Sequence, residues 1–506
     1  MEIRLRQGAL AALSTELYVL GLFKGEGLPE EAKALEGAFP LAAALRGDFK
    51  GGKGDRLLLL AGRSAGPRPA GPRRVLLLGL GERAKFSLKA LTEAAGGLML
   101  GLKEKELREL TVELPRLEGE GPSPAELALT LARALAVGAW SFERYKSKPA
   151  AATLRRIHLR AGARPASGIR EAVARGALIG EGVNAARDLA QEPGNEMRPG
   201  TLARKAQEIG KATGGAVKVK VLGEAQLRRL GAGGILAVGQ GSVQESRLIA
   251  LEYRCGKRNA RRLAVIGKGI TFDAGGLSLK PAAQMEEMKY DMCGAAAVLG
   301  LFQILPRLRP GLDVLGVIPS AENLPDGGAY KPGDIIRLLC GKTVEVVNTD
   351  AEGRLLLCDA LSWAERTWRP DAMVDLATLT GAVLVCLGHE MSAVLGNDPA
   401  MVEAVVDAGS RSGDFCWPLP LAEDYQAMVK STVADIRNST NSRDAGTITA
   451  ACFLNEAVSA DTPWAHLDIA ATAWVAKKAG YVPGPTGVGV HLLAELLQTF
   501  AGGDGA

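Results

Sequence analysis

From about Gly214 onward the chain alternates short apolar runs with amphipathic segments. The runs Ala216–Leu222, Leu248–Tyr253, Leu263–Ile266, Leu312–Ile318, Val344–Val347 and Met373–Leu376 have the length of strands. The spacing of apolar positions between several of them predicts helices, notably over Met285–Leu305 and Leu355–Thr367. Such alternation predicts an α/β layer with a largely parallel sheet, in which ligand sites lie where strands end and loops begin. Upstream, Arg56-Leu-Leu-Leu-Leu-Ala61 and Val75-Leu-Leu-Leu-Gly79 read as buried strands bounded by Gly and Pro, and a helical pattern covers Ile169–Leu189. A basic, Ala-rich stretch from Glu143 to Arg175 carries Lys146, Lys148, Arg155, Arg156, Arg160 and Arg164. It reads as a connector, part strand and part helix, with a solvated surface, because no aromatic residues alternate with its charges.

Length and composition narrow the class. A chain of 506 residues exceeds what one core supports, so two or more domains are expected. Hydrophobic residues at 47% and charged residues at 23% are ordinary for a globular protein. The net charge of +5 is small for this length, which speaks against a chain devoted to nucleic acid or anionic membranes. Seven cysteines, all from Cys255 onward and without a C-x-x-C pair, exclude a disulfide framework and a thiolate zinc ribbon. The longest uncharged apolar stretch, Leu376–Gly388, is too short to span a bilayer, and the N-terminus lacks a signal pattern. A cytoplasmic protein without membrane partners is expected.

Two familiar motifs fail. Gly79-Leu-Gly81-Glu-Arg-Ala84 follows an apolar run like a dinucleotide fingerprint, but its third glycine is Ala and no acidic partner follows in context. The four histidines, His158, His389, His466 and His491, have no metal-ligand spacing, so any metal site must be built of carboxylates.

Carboxylates and lysines do concentrate, in two segments. One runs from Val265 to Pro281, with Lys268, Asp273 and Lys280 around Gly267, Gly269, Gly275 and Gly276, and continues to Asp291 inside the helical pattern. The other, Val344 to Leu355, places Asp350 and Glu352 just before a helix; in an extended chain these alternate positions face one side, and Arg354 continues the alternation. Four carboxylates brought together repel unless cations intervene, and oxygen-rich sites suit divalent ions, so the chemical reading is a two-metal hydrolytic site. Taken singly, each residue reads equally well as a turn, cap or surface residue.

The motif Asn348-Thr-Asp-Ala-Glu-Gly-Arg-Leu355 resembles the signature of the leucyl aminopeptidase family of dinuclear metallopeptidases. Gly267-Lys-Gly-Ile-Thr-Phe-Asp273, Gly275-Gly276, Ser278-Leu-Lys280-Pro281 and Met288-Lys-Tyr-Asp291-Met resemble its other metal segment, in order and spacing. Asn184-Ala-Ala-Arg-Asp-Leu, Asp375-Leu-Ala-Thr-Leu-Thr-Gly381 and His466-Leu-Asp-Ile-Ala470 are also similar, so the likeness covers roughly residues 175–500. It implies a smaller N-terminal α/β (macro-like) domain over 1–165 and a larger C-terminal α/β catalytic domain over 166–506, with a mixed, largely parallel central sheet. It also implies a cytosolic, homohexameric aminopeptidase that releases Leu-like N-terminal residues from peptides with a free amine, through a two-metal-activated water. By resemblance Lys268, Asp273, Asp291 and Glu352 hold one metal and Asp273, Asp350 and Glu352 the other. The ions are Zn²⁺ or Mn²⁺, with Mg²⁺ and Co²⁺ compatible. Lys280 polarises the scissile carbonyl, and Arg354 holds a bicarbonate that acts as general base. Met288, Thr378, Ala470 and Ala473 match the first side-chain pocket. Ala274 departs from the Ser or Thr frequent after the bridging Asp, which removes a hydrogen bond behind that ligand. Two other classes stay open: nucleic-acid binding, as in some bacterial relatives, and a carboxylate-metal phosphatase.

Overall fold

The computed structural model describes residues 1–61, 71–103, 106–117, 121–149, 153–163, 165–440, 442 and 444–501. It divides into two compact units, Met1–Glu181 with Lys477–Pro483, and Gly182–Ala476 with Gly484–Ala506. The division falls inside the helix Ile169–Gln191; the boundary expected at 165/166 lies in the segment before that helix.

The first unit holds a six-stranded sheet of β1 (Glu2–Arg6), β2 (Leu17–Phe23), β3 (Arg56–Leu60), β4 (Arg74–Gly81), β5 (Glu109–Glu113) and β6 (Arg156–Arg160), in the order β1-β6-β5-β2-β4-β3. All neighbours are parallel except β3 and β4. Parallel strands covered on both faces read as continuous apolar runs, and the buried Val75–Gly81 of β4 fits that rule. The leucines of β3 do not. As an antiparallel edge strand β3 wets one face, and Leu58 and Leu60 are 47% and 65% exposed, which corrects the expectation of a buried strand. The basic stretch is corrected too: β6 is an interior strand between β1 and β5, and Arg160, expected on a solvated surface, is 1% exposed. Arg164 lies outside the described residues. No helix opens at the glycine fingerprint, where β4 passes into a 3-10 turn over Arg83–Lys85. A Cβ on Gly79 would sit 1.9 Å from the Gly52 carbonyl oxygen, so this glycine serves a close backbone crossing.

The second unit is built on a nine-stranded mixed sheet. Its strands are β7 (Val217–Leu222), β8 (Arg247–Tyr253), β9 (Arg262–Gly267), β10 (Gly269–Asp273), β11 (Asp313–Asn323), β14 (Ala372–Ala377), β15 (Ser392–Gly396), β16 (Cys416–Pro418) and β18 (Trp464–Asp468). A small sheet joins β12 (Ile335–Arg337), β13 (Thr343–Glu345) and β17 (Ile436–Arg437). The centre, β18-β14-β9-β11, is parallel, and β10 continues alongside β11, whereas β8 runs antiparallel to both β7 and β11, and β15 runs antiparallel to β18 but parallel to β16. Every residue of β11, β14 and β18 is buried. The helix Gly353–Trp368 packs into the same core through Leu355, Leu356, Leu357 and Leu361.

The helix expected over Met285–Leu305 is interrupted. A 3-10 turn, Met285–Tyr290, ends at Asp291, and the α-helix Cys293–Leu308 begins two residues later. Asp291 therefore stands at a break in the helix, where its carboxylate leaves the helical register. Met285–Leu308 is also the one described helical stretch apolar and long enough to cross a membrane, and 78% of its most apolar 18-residue window is buried within the fold.

Candidate active site

The C-terminal ends of β9, β10, β14 and β18 deliver charged and hydroxyl side chains to one place. Lys268 follows β9 and Asp273 closes β10; Thr378 and Thr380 follow β14, and Asp468 ends β18. The crevice beyond the carboxyl ends of parallel strands is where open α/β sheets bind ligands.

Lys268 is buried, and its Nζ lies 2.8 and 2.7 Å from the two oxygens of Asp291 and 2.8 Å from Glu352 Oε1. It also donates to the Thr378 carbonyl at 2.9 Å. Lys280 Nζ lies 2.9 Å from Asp273 Oδ2 and 2.5 Å from Asp350 Oδ1. Ligand oxygens of Asp273, Asp350 and Glu352 lie within 4.8 Å of one another. Sequence reasoning thus named six residues that the fold does bring together: Lys268, Asp273, Lys280, Asp291, Asp350 and Glu352.

The local backbone explains the convergence. Gly275, with φ of +87°, turns the chain after Asp273 so that its amide donates back to Asp273 Oδ1 at 2.9 Å. Thr349 zips this loop to the one carrying Asp350: its Oγ1 donates to the Gly275 carbonyl at 2.7 Å and accepts from the Ser278 amide at 2.7 Å. Glu352 takes the N-cap position of the helix Gly353–Trp368, and Arg354 lies in its first turn rather than in extended alternation. At Gly353 a Cβ would sit 2.5 Å from Lys268 Cε, so glycine is what lets the lysine pass.

Four carboxylates and two ammonium groups leave the cluster two negative charges in excess. Burial pulls the Lys268 ammonium down, but Asp291, Glu352 and Asp273 outweigh it and hold its pKa above the usual range. Lys280 behaves likewise beside Asp273, Glu352 and Asp350. Burial, then the charges of Glu352 and Asp273, push Asp291 well up against the pull of Lys268. Asp350 rises to about 6, through burial first and the Asp273 charge second. Glu352 Oε2 is buried with no hydrogen-bond partner. A tight set of oxygens with an unsatisfied buried lone pair and excess negative charge is a donor set that divalent cations fit.

The remaining expected residues are placed less directly. Arg354 is buried; Nη1 donates to the Asn438 carbonyl at 2.7 Å, and Nε has no partner. Desolvation lowers its pKa to about 10, against the charges of Glu352 and Asp468. Thr378 Oγ1 donates to Asp291 Oδ1 at 2.6 Å, so it serves the carboxylate cluster. Met288 is half-buried in the 3-10 turn, Ala470 packs with Val383, Ala393 and Leu395, and Ala473 is buried.

Sequence reasoning missed the supports. Asn323 Nδ2 donates to Asp273 Oδ1 at 2.9 Å and to the Thr349 carbonyl at 3.0 Å, which ties the two acidic loops together. Asn438 accepts from the amides of Val347 at 2.8 Å and Asn348 at 3.3 Å, and donates to the carbonyls of Asn348 at 2.7 Å and Ala351 at 3.3 Å. Behind them, Asp375 Oδ1 meets His466 Nδ1 at 2.6 Å and Asp375 Oδ2 accepts from Trp464 Nε1 at 2.8 Å, all buried between β14 and β18. A polar residue closing the apolar run of β11 was the one available signal for Asn323.

Two family profiles match the chain: the cytosol aminopeptidase family catalytic domain over residues 184–494, and the N-terminal domain of the same family over residues 19–149. The chain belongs to the cytosol aminopeptidase family. It is a hydrolase, an aminopeptidase, with the two-domain mixed α/β architecture of that family. A probable cytosol aminopeptidase of Roseiflexus castenholzii is 43% identical over 503 residues, covering 98% of this chain and 99% of that one. One from a Geobacter species is 44% identical over 491 residues, covering 96% and 97%. Among solved structures, a mutant of tomato leucine aminopeptidase aligns with TM-score 0.85 at 30% identity, covering 98% of this chain and 96% of that one. The bottromycin maturation enzyme BotP in complex with Mn aligns with TM-score 0.83 at 34% identity, covering 96% and 100%.

Proposed function

We infer that this aminopeptidase removes Leu-like residues from peptides with a free N-terminus, at a site that holds two divalent metal ions. The observation that carries this reading is the meeting of Asp273, Asp350 and Glu352 within 4.8 Å, with Lys268 and Lys280 set against them. Lys268, Asp273, Asp291 and Glu352 would hold one ion and Asp273, Asp350 and Glu352 the other. When bound, the two ions supply Lewis acidity and a water nucleophile at neutral pH. Zn²⁺ and Mn²⁺ are the proposed ions.

The chain's own groups do the rest. Lys280, kept positive by its carboxylate neighbours, would donate to the scissile carbonyl and steady the developing oxyanion. Arg354 has a buried Nε–H without a partner, which suits an anion such as bicarbonate serving as general base. Met288, Thr378, Ala470 and Ala473 are the proposed walls of the side-chain pocket. Homohexameric assembly and a cytoplasmic location belong to the same proposal, and velocity sedimentation tests the first.

The deciding experiment compares Leu-p-nitroanilide with its N-acetylated form, on metal-stripped protein before and after Mn²⁺ or Zn²⁺ is added. Turnover of the free-amine substrate alone, restored by metal, is expected. Equal cleavage of both forms overturns amine anchoring.

A further inference from the structure

The structure assigns to the N-terminal unit a second ligand site: a cradle for a small dicarboxylate at the C-terminal edge of its parallel sheet. A cavity of 510 Å³ opens there, bordered among others by Tyr18, Phe23, Arg83, Glu113, Arg116 and Arg160. That is the size of a small-molecule pocket, at the edge where parallel sheets bind ligands. Three guanidiniums converge on it from three strands of the sheet. Arg83 stands just beyond β4, Arg116 just beyond β5, and Arg160 ends β6.

Arg160 is buried and held in place from inside. Its Nη1 donates to both oxygens of Glu113 at 2.8 Å, its Nε donates to the Gly8 carbonyl at 3.1 Å, and Tyr18 Oη donates to Glu113 at 2.7 Å. Arg83 lies 4.2 Å over the Phe23 ring, and its Nη1 donates to the Arg116 carbonyl at 3.0 Å. Glu113 offsets one of the three positive charges and leaves two.

Those two are met by the chain's own carboxylates, both from the segment after β2. Glu26 binds Arg83 in a bidentate pair at 2.5 and 2.6 Å. Glu31, on a short helix over Glu30–Lys33, bridges Arg116 at 2.7 Å and Arg160. Hydrogen bonds from Arg83 to Glu26, and from Arg116 and Arg160 to Glu31, hold both carboxyls below their usual range. Only the Arg160–Glu113 pair is buried; the pairs of Glu26 with Arg83 and of Glu31 with Arg116 are part-exposed, and such pairs add little stability, so displacing the two glutamates costs little. Two carboxylates, one on Arg83 and one across Arg116 and Arg160, mark what the guanidinium cradle takes: a dicarboxylate of matching charge, admitted when Glu26 and Glu31 swing away. The residues that line it all belong to the N-terminal unit.

The test is calorimetric titration of the full chain with glutarate at fixed ionic strength. The Glu26→Gln/Glu31→Gln variant, its internal carboxylates removed, is expected to bind at least tenfold more tightly than the unaltered chain. Arg83→Gln/Arg116→Gln should abolish binding. Glu26→Gln alone, at a half-exposed pair, keeps the test valid if the double variant misfolds, and should also tighten binding. No gain in affinity on removing the glutamates, or undiminished binding without the arginines, overturns the assignment. Equal competition by inorganic phosphate overturns the dicarboxylate class.

Discussion

Asn438 touches none of the six converging residues, yet the structure makes it the keystone of the loop that carries Asp350 and Glu352. Its buried amide makes two short bonds, to the Val347 amide and the Asn348 carbonyl, and two longer ones at 3.3 Å. In Asn438→Ala all four are lost. Each short bond contributes about 1 kcal/mol net, and each buried group left unpaired costs about 1–3 kcal/mol, so a loss of roughly 2–5 kcal/mol is expected. For a unit of this size that is about 3–7 °C in the unfolding midpoint. Freed at residues 347–351, the loop no longer fixes the two carboxylates, and a misplacement near 1 Å costs on the order of 10²-fold in rate. Differential scanning calorimetry and kcat/KM on Leu-p-nitroanilide at saturating Mn²⁺ check both effects. Asn438→Asp, which keeps the acceptor oxygen and loses the donor, should fall between. An Asn438→Ala protein that unfolds within 1–2 °C of the unaltered chain and keeps kcat/KM within about twofold would refute the reasoning, since those bonds would then be redundant.

Two more predictions follow from contacts already described. Gly353→Ala drives a Cβ to 2.5 Å from Lys268 Cε, so Lys268 must shift from Asp291 and Glu352; metal binding measured by calorimetry should weaken at least tenfold in a protein that still folds. Burial alone would raise the Glu456 carboxyl, but hydrogen bonds from Lys342 and Lys430 outweigh it and lower its pKa. The stabilisation is then present above the unfolded carboxyl range and lost as pH falls. Glu456→Gln should cost about 0.5–1 kcal/mol at pH 7, since both lysines are part-exposed, and in urea unfolding curves the difference should shrink as pH falls below the unfolded carboxyl range and vanish once Glu456 itself is protonated.

Legibility in the sequence followed the reach of each interaction. Lys268, Asp273, Asp350 and Glu352 were readable because each sits in a short loop directly after an apolar run or before a helix, where function and turn chemistry share few positions. Asp291 was found but misplaced, because the apolar pattern of 285–305 runs unbroken across Asp291 and the buried Met292 and Cys293, where the 3-10 turn gives way to the α-helix. Asn438 acts on a loop 90 and 91 residues away, and no local pattern announces such a partner. The leucines of β3 gave no alternation, so an edge strand looked like an interior one. Arg160 was read as solvated because charge predicts exposure, whereas Glu113 and Glu31 satisfy it inside the fold.

The two lysines among the carboxylates set a condition on any metal that enters. Without an ion Lys268 is an ammonium, since Asp291, Glu352 and Asp273 raise its pKa above the usual range despite burial. An ammonium has three donors and no lone pair, so Lys268 can act as a ligand only after losing a proton. Asp350, at about 6, is already ionised at pH 8 and contributes none. Lys280 keeps its proton in the proposed role. Loading at pH 8 should therefore expel about one proton per chain that belongs to Lys268, beyond those that Asp291, pushed well up by burial, and bound water release in either protein. Calorimetric titration with Mn²⁺ in two buffers of different ionisation enthalpy counts the protons, and Lys268→Met should release about one fewer per chain at equal ion stoichiometry. Equal counts from both proteins would mean that Lys268 stays an ammonium beside the ions and serves to neutralise the carboxylates, with Asp273, Asp291 and Glu352 left to hold the first ion alone.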